Sequence, residues 1–104
     1  MDINELLPLG TVVSLKNGEG KLLIIGVFPK SSANNETYDY CGLLLPYGYL
    51  NSEDIFLFNK DKIDEIYFKG YYDENMKDFY EDLLWAKNLK ENEQWRKIYY
   101  LLVL

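Results

Sequence analysis

The chain of 104 residues contains no histidine, one cysteine and three prolines, and 17 acidic residues outnumber 11 basic ones. Each shortage closes off some chemistry. Histidine is the most frequent general base and zinc ligand, and it is missing altogether. Cys41, standing alone, makes neither an intramolecular disulfide nor a thiolate cluster, a pattern that fits a reducing compartment. It lies inside a predicted strand and reads as a buried, inert thiol rather than a nucleophile. The net charge of −6 repels phosphate backbones and anionic lipid, so neither nucleic acid nor a membrane is an expected partner. The same acid excess keeps a domain soluble. No apolar run reaches the ~20 residues of a membrane span. The first ten residues, MDINELLPLG, carry an acid at position 2 and no positive n-region, which does not suit a signal peptide. A cytoplasmic protein is expected.

Motifs for cofactors are equally sparse. Gly18 and Gly20 precede a predicted strand, not a helix, so they form no phosphate-cradling loop. No GxSxG is present. Carboxylates are the only plentiful catalytic-type group. Glu53, Asp54, Asp61, Asp64 and Glu65 cluster around two predicted strands. A carboxylate pair can run a glycosidase or bind a hard cation. Here the DxDxDG rhythm of a calcium loop is lacking and lysines interleave, so the cluster reads as a solvated acidic face. No catalytic residue, metal site or cofactor is expected.

What the chain does hold is apolar surface: 48% hydrophobic residues and ten tyrosines. Its length suits a single domain spanning residues 1–104. Thr11–Leu15 is rich in β-branched residues and reads as a strand. The turn Lys16–Gly20 leads to the apolar run Lys21–Phe28, and the two runs form a predicted hairpin. Gly26 inside the second run marks a bulge or bend. Pro29–Glu36 is polar and reads as a flexible connection. Further strands are predicted over Thr37–Leu45, Ile55–Phe58 and Ile63–Lys69, with Gly70 ending the last. Tyr38, Tyr40 and Leu44 share one face of the third strand, and Cys41, Leu43 and Leu45 the other.

Asp73 is the predicted N-cap of a helix whose apolar stripe is Met76, Phe79, Tyr80, Leu83, Leu84 and Ala86, with Glu81 and Asp82 facing water. A second helix over Asn92–Leu102, or alternatively a strand over Ile98–Leu104, follows. Strands first and helices afterwards argue an α+β fold: a curved antiparallel sheet of about five strands followed by one or two C-terminal helices.

Two segments are candidates for contact with another protein. The turn Pro46–Leu50 carries Tyr47, Tyr49 and Leu50. Tyr is enriched at binding hot spots, and a stiff turn presents it at low entropic cost. The alternative is that these rings fold back over the sheet edge. The second candidate is WRKIYYLLVL, with Trp95 and Tyr99, which either docks on the sheet or pairs with a partner. An unmatched strand edge also leaves room for a homodimer.

Four fragments, LLPLGTVVSLK (Leu6–Lys16), KLLIIGVF (Lys21–Phe28), YDYCGLLLPYGYL (Tyr38–Leu50) and FNKDKIDEIYFKGY (Phe58–Tyr71), followed by an acidic helix, together resemble the domain-of-unknown-function family four-one-seven-six. The resemblance spans roughly residues 6–84. It implies a gene placed beside type VII secretion toxins of the LXG class in Gram-positive bacteria. It further implies a non-enzymatic role as a small cytoplasmic adaptor or chaperone for such a toxin before export, and it supplies no binding residues. The alternative is an immunity protein that covers a basic toxin cleft through acids of Glu53–Glu65 or Asp73–Asp82. A carboxylate-dependent enzyme is the third reading.

Overall fold

A computed structural model of the chain describes residues 6–89. The chain divides into two compact units, Leu7–Tyr71 and the remainder. The first holds five strands: β1 (Val12–Leu15), β2 (Lys21–Val27), β3 (Tyr40–Leu45), β4 (Ile55–Phe58) and β5 (Ile63–Phe68). Single 3-10 turns, Ser52–Asp54 and Lys60–Lys62, precede β4 and β5. The second unit holds α1, Glu74–Leu89. The expected α+β class is therefore present, with a single C-terminal helix among the described residues. The expectations for Asn92–Leu102 and Ile98–Leu104 lie outside them.

Among the described residues all strand pairs are antiparallel, in the order β4-β3-β2-β1-β5. The predicted β1–β2 hairpin pairs Val12 with Leu23 and Val13 with Leu22. Its turn uses left-handed backbone at Asn17 and Gly20, with φ of 62° and 84°. The bulge expected at Gly26 is there too: Ile24 pairs with Gly42 and Gly26 with Cys41, leaving Ile25 as the extra residue. A Cβ on residue 26 would lie 2.7 Å from the Cys41 sulfur, so only glycine fits without a shift.

Two expectations give way. The third strand starts at Tyr40, not Thr37, and residues 29–36 form a closed turn rather than a slack link. The Ser31 amide donates to Glu36 O (2.8 Å), the Asn35 amide to Ser31 O (3.0 Å), and Lys30 bridges Thr37. The Asn34 side chain accepts from the Glu36 amide at 3.0 Å. Short polar side chains that satisfy the local backbone compete with a ladder, and here they delay it by three residues.

The sheet curls. A flat five-stranded sheet would hold β4 and β5 about 19 Å apart, four strand spacings. Yet only residues 59–62 join them, and the Lys62 amide bonds to Asn59 O at 3.0 Å. That turn restricts the span from Phe58 to Ile63 to about 15 Å. The two outer strands must therefore approach each other at the Lys60–Lys62 turn. The enclosed face carries Val13, Leu22, Ile24, Tyr40 and Phe58, all buried, each side chain contributing roughly 1.5–3 kcal/mol by leaving water. The Tyr40 and Phe58 rings meet at 5.8 Å between centroids. The buried Tyr40 hydroxyl accepts from the Leu7 amide at 3.0 Å, so its polar end is not left bare.

Two side-chain knots extend neighbouring strand pairs beyond their ladders. Thr11 is fully buried. Its hydroxyl donates to Pro8 O (2.7 Å) and accepts from the Gly70 amide (3.0 Å), tying the chain before β1 to the chain after β5. Gly70 passes so close to Leu9 and Gly10 that a Cβ there would collide with their backbone. At the other end, Asn59 Oδ1 accepts from the Asp39 amide (3.0 Å) and Asp39 Oδ2 accepts from the Lys60 amide (2.9 Å). This reciprocal pair fastens the β4–β5 crossover to the start of β3.

In the second unit, Asp73 Oδ1 accepts from the Met76 amide at 3.0 Å, the predicted cap of α1. Tyr80, Leu83 and Ala86 are buried, and Glu81 and Asp82 are exposed as expected. Phe79, assigned to the apolar stripe, is exposed. Its ring stands 6.2 Å from that of Tyr80, at the margin of the stripe rather than its centre.

Candidate protein-contact surface

The turn between β3 and β4 is built by its own backbone and by one aspartate. The Leu45–Pro46 peptide is cis and Gly48 sits at φ 71°. The Gly48 amide donates back to Leu44 O at 2.9 Å. Beyond it, Asp54 Oδ2 accepts from the amides of Leu50 and Asn51, both at 2.8 Å, while Asn51 Oδ1 accepts from the Glu53 amide at 2.9 Å. This is a capping box around the Ser52–Asp54 turn. It holds residues 50–54 in one shape without help from the core.

The consequence is exposure. Tyr47, Tyr49 and Leu50 are 69%, 60% and 76% exposed. The rings do not fold back over the sheet edge. The surface continues into β4, where Ile55 and Phe56 are also exposed. Across the curl, β5 exposes Ile66, Tyr67 and Phe68. Lys21 Nζ lies 4.5 Å from the Tyr67 ring centroid, a cation–π contact. Trp95 and Tyr99, the other residues singled out for contact, lie outside the described residues.

The acidic cluster is partly dismantled by the same geometry. Asp54 is a turn residue whose Oδ2 is already occupied by two amides. Glu53, Asp61, Asp64 and Glu65 remain on the surface, exposed to water. Among the described residues, no three of His, Cys, Asp and Glu gather as metal ligands. Cys41 is half-buried, and desolvation by burial pushes its thiol pKa up, which keeps it protonated at neutral pH. No helix among the described residues is long and apolar enough to cross a membrane.

The chain matches, over residues 6–79, the family described as Domain of unknown function (DUF4176). It belongs to that family. The DUF4176 match takes in the whole curled sheet, the exposed turn and the first turns of α1. No curated protein and no solved structure matches the chain.

Some working residues escaped the sequence reading. Asp39 and Thr11 act through partners 21 and 59 residues away, and nothing local marks them. Trp85 is 53% exposed on α1. Its position was legible: it falls two residues from Leu83, about 200° around the helix from the buried stripe.

Proposed function

We propose that this DUF4176 protein is a non-enzymatic protein-contact module, an adaptor or chaperone for a type VII secreted toxin of the LXG class, acting in the cytoplasm before export. The turn Pro46–Leu50 is its contact surface. The observation that supports this reading is the exposure of Tyr47, Tyr49 and Leu50 on a turn tied by the Gly48–Leu44 bond and, at Leu50, by Asp54. Aromatic side chains held out in water at fixed geometry lose little entropy when a partner covers them. A chain without histidine, with its one thiol held neutral, offers little for chemistry and much for adhesion.

The test is a pull-down of an LXG-class toxin encoded beside the gene. Tyr47→Ala with Tyr49→Ala is expected to lose the toxin while circular dichroism stays that of the wild type. Retained toxin at wild-type level would reject the turn as the contact. Toxin export should fail in a deletion strain.

The immunity reading rests on the acids still exposed, Glu53, Asp61, Asp64 and Glu65. It predicts binding that weakens steeply with salt, because exposed charges are screened within about 10 Å at 0.1 M. It also predicts growth protection against the toxin. Contact through the aromatic turn predicts neither.

A further inference from the structure

The turn between β1 and β2 holds an asparagine in a chemical setting of its own. Asn17 is exposed, its φ is 62°, and the residue after it is Gly18. The Gly18 amide donates to Leu15 O at 3.0 Å, so Asn17 takes the third position of a tight turn, with a positive φ there. Asparagine supplies that φ at little cost. The Asn17 side chain has no hydrogen-bond partner among the described residues.

Other asparagines are engaged or shielded. Asn34 Oδ1 accepts from the Glu36 amide and its Nδ2 donates to the Tyr38 hydroxyl, both at 3.0 Å. Asn51 Oδ1 accepts from the Glu53 amide and Asn59 Oδ1 from the Asp39 amide. Asn35 and Asn75 are followed by Glu36 and Met76, which carry a side chain beside the amide nitrogen where Gly18 has none.

An asparagine side chain loose in water, next to an unhindered main-chain nitrogen, reacts with its own backbone. The Gly18 nitrogen attacks Asn17 Cγ. The N–Cγ bond forms, the Cγ–Nδ2 bond breaks, and the Gly18 amide proton leaves with the side-chain nitrogen as ammonia. Water then opens the succinimide. Cleavage at Cγ gives aspartate, and cleavage at the main-chain carbonyl gives isoaspartate, with the chain running through the former side chain. Water enters and ammonia leaves, with no oxidant or reductant.

We propose that Asn17–Gly18 is a self-modifying site, at which the folded protein converts Asn17 to aspartate and isoaspartate with water as the co-reactant. The fold sets the rate. The attacking nitrogen is the one that closes the turn, so its bond to Leu15 O opens before the ring forms. A hydrogen bond of ordinary net strength slows the reaction about fivefold relative to a free peptide. The new acid joins Glu19 on the same exposed turn, and isoaspartate also lengthens the main chain between β1 and β2.

The full chain and a capped peptide of sequence LKNGEGKL are kept side by side in neutral buffer. Peptide mapping by mass spectrometry follows conversion, and chromatography resolves the aspartyl and isoaspartyl forms. Both products are expected at residue 17, at about one fifth of the peptide's rate, with Asn34, Asn51 and Asn59 unchanged. The rate should climb with pH, because the attacking nitrogen must shed its proton. Gly18→Ala needs no left-handed φ and sets a methyl beside the nitrogen, 3.3 Å from Leu15 O. It should slow conversion in the chain and in the peptide alike. Asn17 intact after about twenty peptide half-lives overturns the proposal. So does earlier conversion at Asn34, Asn51 or Asn59. A Gly18→Ala chain that converts as fast as the wild type overturns attack by the Gly18 nitrogen. Conversion of the unaltered chain at the peptide's rate overturns the restraint by Leu15 O. Circular dichroism checks the fold of Gly18→Ala, and if that variant unfolds, the comparison of unaltered chain with peptide decides.

Discussion

Thr11→Val isolates the knot that ties the chain before β1 to the chain after its neighbour β5. The change keeps shape and volume and removes one hydroxyl from a fully buried site. That hydroxyl makes two bonds, to Pro8 O at 2.7 Å and from the Gly70 amide at 3.0 Å. Each is worth about 1 kcal/mol net, and the partly buried Gly70 amide left without its acceptor adds about 1 kcal/mol more. A loss of about 3 kcal/mol is expected. With a urea slope of roughly 1.5 kcal/mol/M for a small domain, the unfolding midpoint should fall by about 2 M. Thr11→Ser keeps both bonds and deletes a methyl, so about 1 kcal/mol is its expected cost. Urea titration followed by circular dichroism measures both. Hydrogen exchange adds a local readout, since the Gly70 amide should exchange faster in the valine variant and not in the serine one. A valine variant within about 0.5 kcal/mol of wild type refutes the argument. So does a serine variant as unstable as the valine one, because the methyl would then carry the effect.

Two further outcomes follow from the bulge and its neighbour. Gly26→Ala places a methyl 2.7 Å from the Cys41 sulfur and should cost about 1–3 kcal/mol as overpacking. Adding Cys41→Ala should recover most of that loss, and a double-mutant cycle that is additive within about 0.5 kcal/mol would show that the sulfur is not the obstacle. The Cys41 thiol, raised by desolvation, should react with iodoacetamide more slowly than a cysteine in an unfolded peptide. Its linkage has one sign: the neutral thiol favours the fold, so the contribution is complete below the unfolded pKa and is lost as pH climbs through the folded one. Stability measured against Cys41→Ala from pH 7 to 10.5 should fall at the alkaline end, and a constant difference between the two proteins would contradict the burial argument.

The parts of the fold that were legible are those whose cause is local. β-branched and apolar runs between Gly, Asn and Pro marked every strand. Gly26 marked the bulge because a side chain has no room there, and Asp73 marked the helix start because a cap is chosen within three residues. The parts that were not legible have distant causes. The β1–β5 pair is extended by Thr11 meeting Gly70, and the crossover after β4 is fastened to the start of β3 by Asp39 meeting Asn59 and Lys60. No window of ten residues contains either pair. The start of β3 slipped because Asn34 feeds the backbone of its own loop, a local competition that composition suggested without fixing where it ends.

The contact surface shows the same division. That Tyr47, Tyr49 and Leu50 form a candidate was visible from residue type. Whether they point outward was not, since the turn has two plausible orientations and its backbone is set by the Gly48 amide bond to Leu44 O at one end and by Asp54 on Leu50 and Asn51 at the other. Read as a member of an acidic cluster, Asp54 belonged to the rival immunity surface. In the structure its Oδ2 takes two amides, so the residue that looked like part of a charge patch fixes the Leu50 end of the aromatic turn. The two functional readings are therefore not independent at this position. Asp54→Asn keeps an oxygen for those amides and removes the charge, whereas Asp54→Ala removes both. If the aromatic turn is the contact, asparagine should retain toxin and alanine should lose it. If the acidic surface is the contact, the two should weaken binding alike.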